Sequence, residues 1–290
     1  MTKLSQMTKK RGKLTTFVLG CIIFFVTGCG SSGGGEVDSS GENVVRSESS
    51  LVVATTGFPY EEILGMAAES LAKKDITLVV ERIEDPTQIY DKLAAKEVDA
   101  AFFQNAQSLE NYVLYSAAPL MPVGRVIVKP AGIYSDKAVN LDDMPEGATI
   151  AIPNSEAERA KALYALSEAG LISLASNRAV TIEDIASNTK KFQFLEVDEA
   201  SLPVTMSEVD AIVTSVSQMY DALNAMQTNI DPKTGALYME DWESIYADVI
   251  AIHYDNAENL KIRELYEACS SEAARRFIEE NFQYIAIPAF

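Results

Sequence analysis

The chain has 290 residues, with 24 Lys and Arg against 42 Asp and Glu, for a formal charge of −18. That balance excludes nucleic-acid binding through the net field, because phosphate contacts need clustered Lys and Arg. It disfavours strongly anionic ligands and favours zwitterions, neutral molecules or cations, a bias that a local pocket can overcome.

The N-terminus reads as an export signal. Lys3, Lys9, Lys10, Arg11 and Lys13 precede an apolar run from Leu14 to Val26, which ends in Val26-Thr27-Gly28-Cys29. A basic start, a short apolar segment and small residues at the cut form a secretory signal. The run is about 13 residues long, short of the roughly 20 that span a bilayer as a helix, so an uncleaved anchor is disfavoured. The cysteine directly after the cut resembles the acylated first residue of a lipoprotein, which makes residues 1–28 a signal peptide and Cys29 the lipid site. Gly28-x-Gly30-x-x-Gly33 matches the dinucleotide fingerprint only in spacing. That motif must end a strand and open a helix, and here more Gly and Ser follow.

Of three cysteines, Cys21 leaves with the signal and Cys29 carries lipid. Cys269 is then alone, and no internal disulfide is expected. Residues 29–50 form the lipidated cysteine and a tether rich in Gly, Ser and acids, expected to be a flexible leash averaging roughly 25 Å.

From Leu51 onward short apolar runs alternate with helical periodicity. Strands are predicted over Leu51 to Ala54, Thr77 to Glu81 and Asp99 to Phe103. Helices are predicted over Glu61 to Ala72 and Thr87 to Lys96. A second unit of this kind begins near Ala148. Thr149 to Ile152 is a strand, Pro153-Asn154-Ser155 caps a helix running to Ala169, and Gly170 stands just past its end. Phe192 to Glu196, Asp210 to Ser215 and Val249 to His253 read as strands. Ser217 to Met226, Leu260 to Ala268 and Ser271 to Glu280 read as helices. The alternation predicts parallel sheets covered on both faces.

Catalytic and metal signatures are missing from the sequence. The sole histidine, His253, ends an apolar strand with no second His for a metal and no nucleophile motif nearby, so a structural hydrogen bond is its expected role. Cys269 reads as a small hydrophobe in a helix. There is no GxSxG, P-loop, HExxH or CxxC, and no isolated carboxylate pair. An enzyme is not expected.

Several segments together resemble one family, the methionine-uptake lipoproteins of ABC importers, or NlpA lipoproteins. They are Ala54-Thr55 and Pro59 with Glu62-Ile63-Leu64; Asp99-Ala100-x-Phe102-Phe103-Gln104; Pro122-Val123-Gly124-Arg125-Val126; Pro130-x-Gly132-Ile133-Tyr134-Ser135; Ile152-Pro153-Asn154; Ala169-Gly170-Leu171-Ile172; and Ile287-Pro288-Ala289-Phe290. The likeness runs from about residue 51 to 290. It implies an α/β, two-lobed type II periplasmic-binding-protein-like fold with two crossover strands. Lobe I would comprise 51–130 plus 246–290, and lobe II 131–245.

The departures from the family lie at its polar ligand positions. Ala101 stands where the family has Asn, Asn105 replaces a His, and Ser108 replaces an aromatic. The family's Asn and Arg in the helix after Ile-Pro-Asn fall on Glu158 and Lys161, and its Asn-Gly-Asn falls on Ser215-Val216-Ser217. An Arg fork grips a carboxylate with two parallel bonds, whereas Lys is a point charge. Phe58, Tyr60, Tyr90, Phe102 and Phe103 are candidates to line the cleft, each with core packing as the alternative. Lys161 and Glu158, three apart on a helix, either meet ligand or pair with each other.

The resemblance implies a lipid-anchored solute-binding protein on the extracytoplasmic face of a bacterial cell membrane. It would take an amino acid or short peptide, methionine first, and deliver it to an ABC permease and ATPase. A monomer is expected, with no cofactor and no nucleic acid. The alternative is a surface lipoprotein of the same fold acting as an adhesin or interaction module.

Overall fold

The computed structural model describes residues 48–176, 178 and 181–290. The predicted signal peptide, Cys29 and the tether as far as residue 47 lie outside the described residues. Two mixed sheets carry the fold, one in each lobe.

The first sheet has the order β13-β4-β12-β3-β1-β2. Strand β1 (Ser50–Thr55) is buried along its whole length, as expected of a central strand covered on both faces. It pairs in parallel with β2 (Thr77–Arg82) and β3 (Ala100–Asn105). Helix α1 (Tyr60–Ala72) buries Tyr60, Ile63, Leu64, Ala67 and Leu71 on one face. Helix α2 (Pro86–Ala94) begins where Asp85 accepts a bond from the Thr87 amide at 2.8 Å and Pro86 presets the first turn.

Helix α3 (Ala106–Ser116) and strand β4 (Leu120–Val128) have no counterpart in the predicted set. The helix buries only Gln107 and Leu109, so no apolar stripe announces it. The strand contains Pro122, Gly124 and Arg125, which interrupt its alternation.

The second sheet has the order β11-β5-β10-β6-β9. Its strands are β5 (Ala131–Tyr134), β6 (Thr149–Pro153), β9 (Gln193–Val197), β10 (Ala211–Ser215) and β11 (Tyr238–Met239). Helix α4 (Glu156–Glu168) connects β6 to a small ribbon of β7 (Ser173–Leu174) and β8 (Ile185–Ser187). Ser155 occupies the helix's N-cap without a side-chain cap bond. Gly170 follows its end at φ +74°, a left-handed geometry that suits glycine. Short α5 (Leu202–Thr205) and α6 (Val216–Ala225) complete this lobe.

The expectation of parallel sheets is corrected. Strand β12 (Asp248–His253) runs antiparallel to both β3 and β4, and β5 runs antiparallel to β10 and β11. The cause is the double crossover. The chain leaves the first sheet on β4, enters the second on β5 and returns on β12, so these connecting strands are set against the strand-helix-strand units beside them. Helices α7 (Leu260–Cys269) and α8 (Glu272–Asn281) then cover the first sheet, and β13 (Ile287–Pro288) pairs with β4.

Each lobe has its own core. Leu51, Ile63 and Phe102 belong to the first, and Ile150, Leu163 and Val213 to the second. Cys269 is fully buried, and burial pushes its thiol up to about 12. His253 caps the turn after β12, its Nδ1 accepting from the Asp255 amide at 3.1 Å. Among the described residues no helix is long and apolar enough to cross a membrane.

Candidate ligand-binding cleft

A cleft of about 610 Å³ opens between the two sheets, where the ends of strands meet the first turns of helices. One wall is built by β3 running directly into α3. Asn105 ends the strand, and its side chain accepts from the Ser108 amide at 2.8 Å, which starts the helix at the cleft edge. Gln104, Asn105, Gln107, Ser108 and Asn111 therefore form a polar, uncharged strip.

Beside that strip stands an aromatic wall. The rings of Tyr90 and Tyr112 stack at 3.8 Å with 5° between planes, and Phe103 meets Tyr90 edge-on at 5.1 Å. Burial holds the Tyr90 hydroxyl well above the usual phenol range, so it remains a neutral donor.

The floor lies at the crossover strands. Tyr60 donates its hydroxyl proton to Asp248 Oδ2 at 3.0 Å and accepts from Lys129 Nζ at 2.7 Å. The Lys129 ammonium lies 3.4 Å from the Asp248 carboxylate, whose side chain is 1% exposed. Burial first, and then the Asp248 charge, raises the Tyr60 hydroxyl pKa far above its ordinary value.

The opposite wall is the first turn of α4, with Glu156, Ala157, Glu158 and Ala160. Neither the Glu156 nor the Glu158 side chain makes a hydrogen bond or ion pair among the described residues. Nearby, burial raises the Glu199 carboxyl and the Glu158 charge adds to this, while Lys161 opposes it. At the mouth Arg178, in the stretch between β7 and β8, reaches across to Glu110 of α3.

The cleft brings together four residues anticipated from the sequence: Tyr90, Phe103, Asn105 and Glu158. The other six lie elsewhere. Phe58 is exposed and packs edge-on against Phe282 at 5.6 Å. Phe102 is fully buried behind the floor, edge-on to Tyr60 at 4.8 Å, because strand alternation sends it into the lobe while Phe103 faces the cleft. Tyr60 is buried below the lining and bonds Lys129 and Asp248, which do line it. Ser215 caps α6 by accepting from the Gln218 amide at 3.2 Å, and its hydroxyl lies 3.2 Å from that of Ser217.

Lys161 corrects the anticipated alternatives. It meets neither the cleft nor Glu158. Its ammonium lies 3.5 Å from Glu240 Oε2 and donates to the Lys129 carbonyl. Glu240 also accepts from the Ala131 amide at 2.8 Å and the Ser244 hydroxyl at 2.9 Å. One buried pair thus fastens both crossover segments, and the distance in sequence from Lys161 to Glu240 hid it.

Gln104, Lys129 and Asp248 line the cleft without having been anticipated. The signal for the latter two was positional, since they stand where chain passes between the sheets.

The NlpA lipoprotein family model matches residues 51–290. The chain is similar to a methionine-binding lipoprotein of Bacillus subtilis strain 168, with 33% identity over 281 residues, covering 93% of this chain and 97% of the relative. It is also similar to the solved structure of a nutrient-binding protein from Burkholderia cenocepacia bound to methionine, at TM-score 0.62 and 28% identity, covering 83% of this chain and all of that one. A YaeC-family lipoprotein from Enterococcus faecalis V583 shares the fold at TM-score 0.73 and 24% identity, over 84% of this chain and 100% of that one.

Proposed function

This chain belongs to the NlpA lipoprotein family, and from that premise we propose that it is a membrane-anchored solute-binding lipoprotein of an ABC importer. Cys29 carries the lipid that holds it at the extracytoplasmic face. Lobe I, 51–130 with 246–290, and lobe II, 131–245, close on an amino acid or short peptide, and the protein hands that solute to a permease and its ATPase as a monomer. Methionine is the first candidate because relatives are named for it.

The observation that carries this reading is the cleft itself. Its walls come from two sheets joined through crossover segments, so a solute touching both walls favours the closed arrangement by its differential affinity. Tyr90, Phe103, Asn105 and Glu158 are the proposed contacts.

A thermal-shift screen over amino acids and dipeptides tests it. A ligand at about 100 times its Kd adds about 2.7 kcal/mol, a rise in Tm of roughly 5–10 °C for a chain of this size. Ala157→Trp, which fills the α4 wall, abolishes the rise. A rise that survives in this variant would place the ligand elsewhere, and no rise with any solute would favour an adhesin or interaction module.

A further inference from the structure

Lys129 stands on the linker between the two sheets, after β4 ends at Val128 and before β5 begins at Ala131. It is held from both sides. Its carbonyl accepts from the Lys161 ammonium of α4. Its own ammonium donates to the Tyr60 hydroxyl at 2.7 Å, lies 3.4 Å from Asp248 Oδ2 and sits over the Tyr60 ring, 5.2 Å from the centroid. Backbone and side chain are both fixed, so a positive charge stands at the cleft floor before any solute arrives.

That ammonium keeps donors free. A lysine offers three N–H bonds and Tyr60 takes one, while Asp248 lies beyond the roughly 2.7–2.9 Å of a charge-assisted bond. The Asp248 side chain is 1% exposed and that of Lys129 is 42% exposed, so the lysine gives this pair its open surface in the cleft that both line. The other nearby cations differ. Lys161 is committed to Glu240 and the Lys129 carbonyl behind the lining, and Arg178 sits at the mouth against Glu110. On the opposite wall Glu158 has no basic partner among the described residues, which tells against a bare anion and favours a carboxylate that carries its own ammonium. After burial and Asp248, the Glu158 charge also raises the Tyr60 hydroxyl pKa, so this acid acts across the cleft on the group that holds Lys129.

We propose that Lys129 is the specificity-determining anchor of the cleft, taking the free carboxylate of a zwitterionic solute whose ammonium turns toward Glu158. The carboxylate is held at the linker between the sheets, and the aromatic wall of Tyr90 and Phe103 receives the apolar body. A lysine is a point charge and not a fork, so the site selects for the charge of the carboxylate. This rests on the solute-binding reading and names the residue that sets its ligand class.

Calorimetry on L-methionine, L-leucine, L-tyrosine and L-arginine, each against its carboxamide, tests it at pH 6, below the α-amino pKa of about 7.7–8.0. In any pair that binds, the acid is held at least about tenfold more tightly than the amide, because losing one partner of a buried charge contact costs at least that factor. Lys129→Gln lowers this preference below about threefold by weakening the acid and not the amide. The double variant Lys129→Gln, Asp248→Asn strands no buried charge and gives the same loss, while Arg178→Gln leaves the preference unchanged. Equal binding of acid and amide in the wild type would overturn the assignment and leave solute binding standing. A preference that survives in the double variant, or disappears in Arg178→Gln, would do the same. Binding by no member of any pair would overturn the assignment and the amino-acid reading with it.

Discussion

Lys161→Ala removes one partner of a buried pair whose side chains are 9% and 1% exposed. Truncating one member of such a pair leaves the other charge stranded and costs about 3–5 kcal/mol. Glu240 keeps its bonds from the Ala131 amide and the Ser244 hydroxyl, which offset part of the loss, so the low end applies. A loss of about 3 kcal/mol lowers Tm by roughly 6–12 °C at this chain length. Thermal unfolding followed by circular dichroism at pH 7 reads it directly. The double variant Lys161→Met, Glu240→Gln recovers more than half of the loss, because a neutral amide oxygen still accepts from Ala131 and no charge is left unpaired. A fall of less than about 2 °C in Lys161→Ala would refute the assignment. So would a double variant whose loss equals the sum of the singles.

Asp210 accepts from the Thr149 amide at 2.8 Å and from Lys137 at 3.0 Å, and these bonds hold its carboxyl below the usual range. Its contribution is present above pH 3.8 and lost as pH falls through the lower folded value. Asp210→Asn therefore lowers Tm by roughly 2–4 °C at pH 7, with the gap closing in acid. Glu199 has the opposite sign, its carboxyl raised chiefly by burial. Glu199→Gln stabilises by about a few tenths of a kcal/mol at neutral pH, and the gain disappears below pH 4.5, where the carboxyl is protonated in both states. Cys29→Ala abolishes incorporation of labelled fatty acid; retained label would show that the acylated residue lies elsewhere.

The strand-helix units from Leu51 to Phe103 were legible because their apolar residues keep a clean period of two or of 3.6. Helix α3 was not, since the face it turns to the cleft is as polar as a face in solvent. Strand β4 was hidden by Pro122 and Gly124, which a crossover strand tolerates. Phe103, Asn105 and Glu158 could be anticipated because they sit in or beside segments that resemble the family, and Tyr90 because it is an aromatic in a predicted helix. The floor could not, because Tyr60 meets Asp248 across 188 residues of chain, and only the return on β12 brings them together. Gln104 stood inside a recognised motif, but its lack of a partner is a property of the folded surroundings alone.

Lobe closure on a solute is the central claim, and a distance across the cleft tests it most directly. Spin labels at Tyr115→Cys at the end of α3 and Val139→Cys beyond β5, both strongly exposed, report that distance while Cys269 remains buried and unlabelled. Pulsed dipolar spectroscopy should find a broad distribution without ligand that collapses to its short end with the solute that gives the largest rise in the thermal-shift screen. A distribution unchanged at saturating solute would contradict the account.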